Sequence, residues 1–236
     1  TGQWCARWML RIFPFCKLHV RGVADDETNS KSEPPGPCIW ACNHTSMLDV
    51  FIMLAVDQKL RGIYNRRPIK IVYWKGLEAN PFTKLLFTQS GFISVEMADN
   101  GNGNDNEYDP RSFRQFLKEC KQAFSEGFDV GLLPEGQLNP NPEAGLLPVF
   151  SGAFTLAKLS KRPIGMLALY GLHNMWHPND EIGMKVTDRR AHVRAYPNPR
   201  VYASAEEFVK TFENVVGEFG KTGVDLPDAE LQQWLT

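Results

Sequence analysis

Asn43-His44-Thr45-Ser46-Met47-Leu48-Asp49 places an imidazole five residues ahead of a carboxylate, and Leu133-Pro134-Glu135-Gly136 places a second carboxylate at a tight Pro/Gly turn. Histidine titrates nearest neutral pH. It can therefore take the proton of a hydroxyl as that oxygen attacks a carbonyl, a contribution of roughly 10²–10⁴-fold. A carboxylate on the other ring nitrogen fixes the tautomer and stabilises the imidazolium that forms. Five residues do not share one face of a regular helix. The geometry works where His44 lies on the turn entering a helix and Asp49 lies in its first turn or two. Ser46 is then either the helix N-cap or a group with a direct role. The bland alternative is a buried, hydrogen-bonded His44 beside an Asp49 that merely favours the helix dipole. Of the five histidines, only His44 has an Asp five positions on. His173 and His177 stand at i, i+4, but Pro178 and the neighbouring Gly, Asn and Trp residues mark them as loop histidines.

The surrounding pattern supplies elements to hold these groups. Cys38-Ile39-Trp40-Ala41-Cys42 is a short apolar run that reads as a buried strand ending at Asn43. Residues 46–57 have helical character, with Met47, Phe51 and Leu54 expected on one side. Strands are predicted over 69–74, 92–95, 129–133, 164–170, 184–187 and 192–196, and helices over 81–90 and 150–159. The clearest helix is 112–126, where Phe113, Phe116, Leu117, Cys120 and Phe124 make one apolar stripe and Gly127 ends it. Ser204-Ala205-Glu206-Glu207 is a capping box that opens a helix with Phe208, Phe212, Val216 and Phe219 on one face. Residues 25–37 and 99–110 read as surface loops. Continuous apolar strands alternating with helices imply an α/β fold, a mostly parallel sheet flanked by helices. Sites in such sheets form where strands end, and both motifs sit at strand ends.

The 236 residues suffice for one sizeable domain, and 43% hydrophobic with 22% charged residues is an ordinary globular balance. A net charge of -1 argues against nucleic acid as a partner and leaves any attraction to a membrane surface to local patches. Five scattered cysteines suggest a reducing compartment. Cys38, Cys42 and His44 lack a second ligand pair at zinc-site spacing, so no metal is expected. The chain begins at Thr1 rather than Met, which points to processing upstream. It holds no apolar run of about 18 residues that would span a bilayer. Residues 1–24 form a leading segment in which Trp4, Arg7, Trp8 and Arg11 mix with aliphatics, as in membrane-interface helices or an amphipathic helix packed on the domain. Residues 25–236 are the main domain.

The first motif matches N-H-x-S-x-x-D and the second resembles F-P-E-G, the signature blocks of the glycerolipid acyltransferases, the family of lysophosphatidate acyltransferase. Gly91-Phe92-Ile93-Ser94-Val95-Glu96 resembles that family's G-x-I-F-I-[DE] block. Phe150-Ser151-Gly152-Ala153-Phe154-Thr155-Leu156-Ala157 is similar to its K-x-G-x-x-x-L-A helix, and Pro163-Ile164 to the start of its fourth block. The resemblance runs from about Cys38 to Pro199. It implies a thioester donor, acyl-CoA or acyl-carrier protein, with no cofactor and no metal, and attachment to a membrane face.

The implied activity is O-acyl transfer to a lysoglycerolipid hydroxyl, lysophosphatidate or another lysophospholipid, in phospholipid synthesis or remodelling. His44 would be the base and Asp49 its partner, with Asn43, Ser46, Lys75, Glu135 and Gly136 on the substrate side. Met97 and Leu138 stand where the family has arginines for the acceptor phosphate, and Met166 replaces the fourth block's second proline. Losing both guanidinium forks removes a bidentate phosphate grip. Either the acceptor has an esterified head group, or Lys75, Arg66 or Arg67 substitutes, or catalysis is weakened or lost. The intact His/Asp pair favours an active enzyme with an altered acceptor. A non-catalytic lipid-binding relative of the same fold is the alternative, and a hydrolase that uses water comes third.

Overall fold

The computed structural model describes residues 4–8, 17–21, 36–55, 67–96, 110–180 and 190–236. The predicted strand at 184–187, Arg66, Met97 and the 25–35 and 99–109 parts of the expected loops lie outside them. Helix α1 spans 4–8 and is followed by strand β1 (Lys17–Arg21). Then come β2 (Ile39–Cys42), α2 (49–55), β3 (Ile69–Trp74), a 3₁₀ turn (Lys75–Ala79), α3 (Pro81–Ser90), β4 (Ile93–Val95) and α4 (Pro110–Ser125). The second half holds β5 (Asp129–Leu132), α5 (Gly152–Ser160), β6 (Ile164–Tyr170), α6 (Leu172–Met175), β7 (Arg190–Arg200), α7 (Ala205–Phe212), α8 (Glu218–Thr222) and α9 (Asp228–Leu235). A π-helical turn, Glu213–Gly217, joins α7 to α8.

Seven strands form one sheet in the order β1-β7-β6-β2-β5-β3-β4. The five from β6 to β4 run parallel, so the C-terminal ends of β2, β3, β4, β5 and β6 share one edge. β7 is antiparallel to β6, and β1 pairs parallel to β7. The expected mostly parallel sheet is present, with two additional strands of reversed direction at one margin. β1 eluded the sequence reading because its Lys-Leu-His-Val-Arg alternation is that of a half-exposed edge strand, not a buried run.

Alternate side chains of the central strands feed two cores. One face packs Ile39, Ala41, Val130, Ile164, Met166 and Ala168 against α4, α5, α7 and the π turn. Phe116, Cys120 and Phe124 of the predicted stripe lie in that layer, as do Phe208, Phe212, Val216 and Phe219. Ser204 accepts the Glu207 N–H at 3.1 Å, as the capping box requires. The other face packs Trp40, Cys42, Ile71, Leu167 and Leu169 against α2 and Ala6 of α1. Burial at about 25 cal/mol per Å² on both faces is what makes the strands' apolar runs continuous.

The expected side of α2 needs correction. The helix starts at Asp49, so Met47 falls in the preceding turn and is 50% exposed, while Ile52, Met53, Leu54 and Ala55 are buried. Among the described residues no helix is long and apolar enough to cross a membrane.

Candidate active site

Beyond β2 the chain leaves the sheet at Asn43, whose buried carboxamide clamps the neighbouring strand. Its Nδ2 donates to Leu169 O at 2.9 Å, and its Oδ1 accepts from Leu169 N at 2.8 Å. The side chain thus continues the β2–β6 ladder for one more rung and fixes where the next residue, His44, begins. Gly220 of α8 rests on this clamp. A Cβ there would lie 2.7 Å from Asn43 Nδ2, so only glycine admits the helix.

The turn from His44 to Asp49 is wound around the Asp49 carboxylate, which is fully buried. Oδ2 accepts from the backbone N–H of Thr45, from Ser46 N at 2.9 Å and from His44 Nδ1 at 3.0 Å, and Oδ1 accepts from Thr45 Oγ1 at 3.1 Å. An ionised carboxylate only accepts, so the proton on the ring belongs to Nδ1. His44 Nε2 keeps its lone pair, and 18% of the side chain remains open to solvent. The ring is thus held at Nδ1. Two residues separate Ser46 from the helix, so it is not the N-cap. Its Oγ accepts from Leu48 N at 3.2 Å within the turn and donates to Trp176 O at 2.8 Å, a tether to the residue that follows α6.

The second motif grips the same histidine by its main chain. Glu135 Oε1 accepts from His44 N at 2.7 Å, and Asn139 N donates to His44 O at 3.0 Å. Glu135 Oε2 accepts from Asn139 Nδ2 at 3.1 Å and Leu147 N at 2.9 Å. Through these bonds Glu135 ties the His44 main chain to the 136–147 loop. Burial pushes the Glu135 carboxyl above its ordinary value, against the bonds from Leu147 and His44 that favour the anion. Gly136 turns the chain with φ 72°, a left-handed conformation that favours glycine, and donates its N–H to Leu133 O at 2.9 Å.

Lys75 stands at the same sheet edge but apart, at the end of β3, exposed and paired with Glu96 at the end of β4. Two strand spacings, about 10 Å, separate β3 from β2. The Glu96 carboxylate raises the Lys75 ammonium above its ordinary value. Arg67 is excluded as the substitute phosphate ligand. It precedes β3 and bears electrostatically on Asp129 and Cys38 at the opposite edge of the sheet. Leu138, half-buried between Glu135 and Asn139, lies in the clamped loop itself.

The sequence did not single out Asn139 or the α6 loop, whose bonds to Glu135, His44 and Ser46 are set by the fold, nor Thr45, whose hydroxyl donates to Asp49 Oδ1 from within the first motif. His173 also departs from the loop expectation. It is buried on α6, its Nδ1 has no partner among the described residues, and burial holds its imidazole below the ordinary histidine value. His177 Nε2 lies 3.5 Å from Glu143. No cluster of three or more His, Cys, Asp or Glu side chains converges as a metal site among the described residues.

Residues 24–168 match the family model described as Acyltransferase. A chloroplastic 1-acyl-sn-glycerol-3-phosphate acyltransferase, BAT2 of Brassica napus, is 25% identical over 69% of this chain and 40% of its own length. LPAT1 of Arabidopsis thaliana, of the same description, is 22% identical over 69% of this chain and 38% of its own. The chain thus spans about two fifths of the length of these curated relatives. In three dimensions the 1-acyl-sn-glycerophosphate (LPA) acyltransferase PlsC of Thermotoga maritima superposes with a TM-score of 0.61. At 16% identity it covers 93% of this chain and 78% of its own, a likeness of fold. With more than half of the chain matched, and His44, Asp49 and Glu135 all inside the matched residues, the chain belongs to the acyltransferase family.

Proposed function

We propose that this chain transfers a fatty acyl group from a thioester, acyl-CoA or acyl-carrier protein, to the free hydroxyl of a lysoglycerolipid. The observation that carries the reading is the His44 Nδ1–Asp49 Oδ2 contact of 3.0 Å, on a histidine whose main-chain N–H and C=O are both tied to the second motif. His44 Nε2 takes the hydroxyl proton as the oxygen attacks the thioester carbonyl. Asp49 stabilises the imidazolium, and collapse of the tetrahedral intermediate forms the ester and expels the thiolate. The imidazolium returns its proton to the sulfur, so the base is regenerated without a covalent acyl-enzyme.

Lysophosphatidate, the acceptor named for the relatives, is the first to try. Leu138 in the clamped loop supplies no phosphate ligand, which favours a lysophospholipid with an esterified head group. Lys75 is a cation at that edge should a phosphate be held. The acceptor's apolar tail calls for a membrane surface beside the site, and exposed Met47, Trp74 and Leu77 are side chains such a surface would cover. The free thiols of Cys5, Cys38, Cys42 and Cys120 suit a reducing compartment.

The test is transfer from labelled oleoyl-CoA, and from the acyl-carrier-protein thioester, to lysophosphatidate, glycerol 3-phosphate and lysophospholipids with esterified head groups, in detergent. His44→Ala and Asp49→Asn should lower turnover by roughly 10²–10⁴-fold. No product with any donor and acceptor would instead leave a lipid-binding relative, and free fatty acid without acceptor would mark a hydrolase.

A further inference from the structure

The parallel register lines up four charged or titratable side chains just past the strand ends. β2 and β5 pair Ile39 with Val130, β3 and β5 pair Lys70 with Val130, and β3 and β4 pair Trp74 with Val95. Counted on from those pairs, His44, Glu135, Lys75 and Glu96 fall on one rung beyond the C-terminal edge of the sheet. Two contacts bear the count out: His44 N donates to Glu135 Oε1, and Lys75 Nζ donates to Glu96 Oε1. At one strand spacing per step, the backbones of Lys75 and Glu96 lie about 10 Å and about 14 Å from that of His44.

The far end of the rung is open to a ligand. The Lys75 and Glu96 side chains are 49% and 47% exposed, and an ion pair so exposed contributes little to stability, so a ligand that carries both charges can part it. Glu96 is fixed by its main chain, whose N–H donates to Ser112 Oγ at 3.0 Å, which leaves the carboxylate to face outward. Met97, the next residue in the sequence, brings no guanidinium to compete for it. Beside the pair, Glu78 meets Lys84 at 3.9 Å and also bears on Lys75. The patch therefore carries two charges of each sign, which suits a head group that is itself neutral overall.

We propose that Lys75 and Glu96 together recognise a zwitterionic head group, and that the acceptor is a lysophospholipid carrying phosphoethanolamine. The inference rests on the reading that His44 acts on a lysoglycerolipid hydroxyl. In such a lipid four bonds separate the central hydroxyl oxygen from phosphorus, and four more separate phosphorus from the amine nitrogen, about 5 Å each when extended. Outward from the base the lipid presents an anion and then a cation, and the protein presents a cation and then an anion. The two charges of the lipid are about as far apart as neighbouring strands, about 4.8 Å. Lys75 Nζ turns to the phosphate. The lipid's ammonium takes its place on Glu96, where a primary ammonium already sits in hydrogen-bond contact. A choline ammonium has no N–H to donate there. A serine head group adds a carboxylate, and the phosphate monoester of lysophosphatidate has about two negative charges and no ammonium, so Glu96 opposes both.

Equilibrium binding of short-chain lysophospholipids to the full chain, below their micelle concentration, tests the pairing without turnover. The ethanolamine head group should bind roughly tenfold tighter than choline, serine or glycerol head groups, and than lysophosphatidate, on the same acyl chain. Glu96→Gln should bring the ethanolamine lipid down to the level of the glycerol one, which the variant should bind no worse than wild type does. Glu96→Asp should restore part of the preference. Lys75→Gln should weaken every phosphate-bearing acceptor by a similar factor, about tenfold. Transfer from acyl-CoA in detergent should repeat the ranking in KM, with kcat held, because neither residue meets the reacting atoms. Equal or absent binding across the head groups, tightest binding of lysophosphatidate, or an equal loss for the ethanolamine and glycerol lipids in Glu96→Gln overturns the proposal. Transfer without head-group preference sinks the pairing alone, and ethanolamine-selective binding without transfer sinks the activity alone.

Discussion

At the scale of single residues, the proposed base is distinct from the groups that hold it. Asp49 and Glu135 are both buried carboxylates, but one touches the His44 ring and the other its main chain. Glu135→Gln keeps the size and loses one acceptor site, leaving the N–H of His44 or Leu147 facing an amide donor, at a cost of about 1–3 kcal/mol. The expected outcome is a fall in kcat with little change in KM for the acceptor, measured by steady-state kinetics. A large rise in KM with kcat intact would make Glu135 a substrate ligand. The His/Asp spacing and the Pro-Glu-Gly turn stood out in the sequence as side-chain patterns, and the structure brings both to His44. Asn139 did not, because its backbone N–H at His44 is one that any residue but proline provides, and its side-chain bonds to Glu135 and Gly145 O depend on how the 136–147 loop folds. Arg67 misled because sequence gives proximity along the chain but not which end of β3 faces the base.

Elements carry these residues by close approaches that small side chains permit. α8 reaches the Asn43 clamp only because position 220 has no Cβ. Gly220→Ala should cost about 1–3 kcal/mol by overpacking and lower activity through a displaced Asn43, read by urea unfolding and turnover together. At the far edge of the sheet, Asp129 ties β5 to β2, accepting from Cys38 N at 2.9 Å and Trp40 Nε1 at 3.0 Å. Burial raises its carboxyl above the ordinary value despite those bonds and Arg67. A raised acid binds its proton more tightly folded than unfolded. Its contribution is therefore fully present below the unfolded value and lost as pH climbs through the folded one. The stability of wild type relative to Asp129→Asn should accordingly grow as pH falls from about 7 to about 4, by urea unfolding at each pH. A constant difference would mean the proton is not linked to folding. The central strands and the stripe of α4 were legible from apolar periodicity. β1 and α6 were not, since an edge strand and a single helical turn bury too little to leave a pattern.

For the whole molecule, sheet order decides what each stretch of chain can do alone. Going across the sheet, β1, β2, β3 and β4 come from the first 96 residues and β5, β6 and β7 from those after 110. The strands interleave, so β2 lies between β6 and β5, and β7 between β1 and β6. A cut between Glu96 and Pro110 would leave one piece with the histidine and the other with the glutamate and asparagine that grip it. Neither piece could complete its own hydrogen-bonded sheet, so each should be inactive and poorly folded by itself. Co-expressed, they should recover activity as a tight pair, measured by co-purification and turnover. Activity in the first piece alone would show that the grip is dispensable. The same interleaving makes the chain a natural two-part switch: attached to two other proteins, its halves would report their encounter by the appearance of a working base.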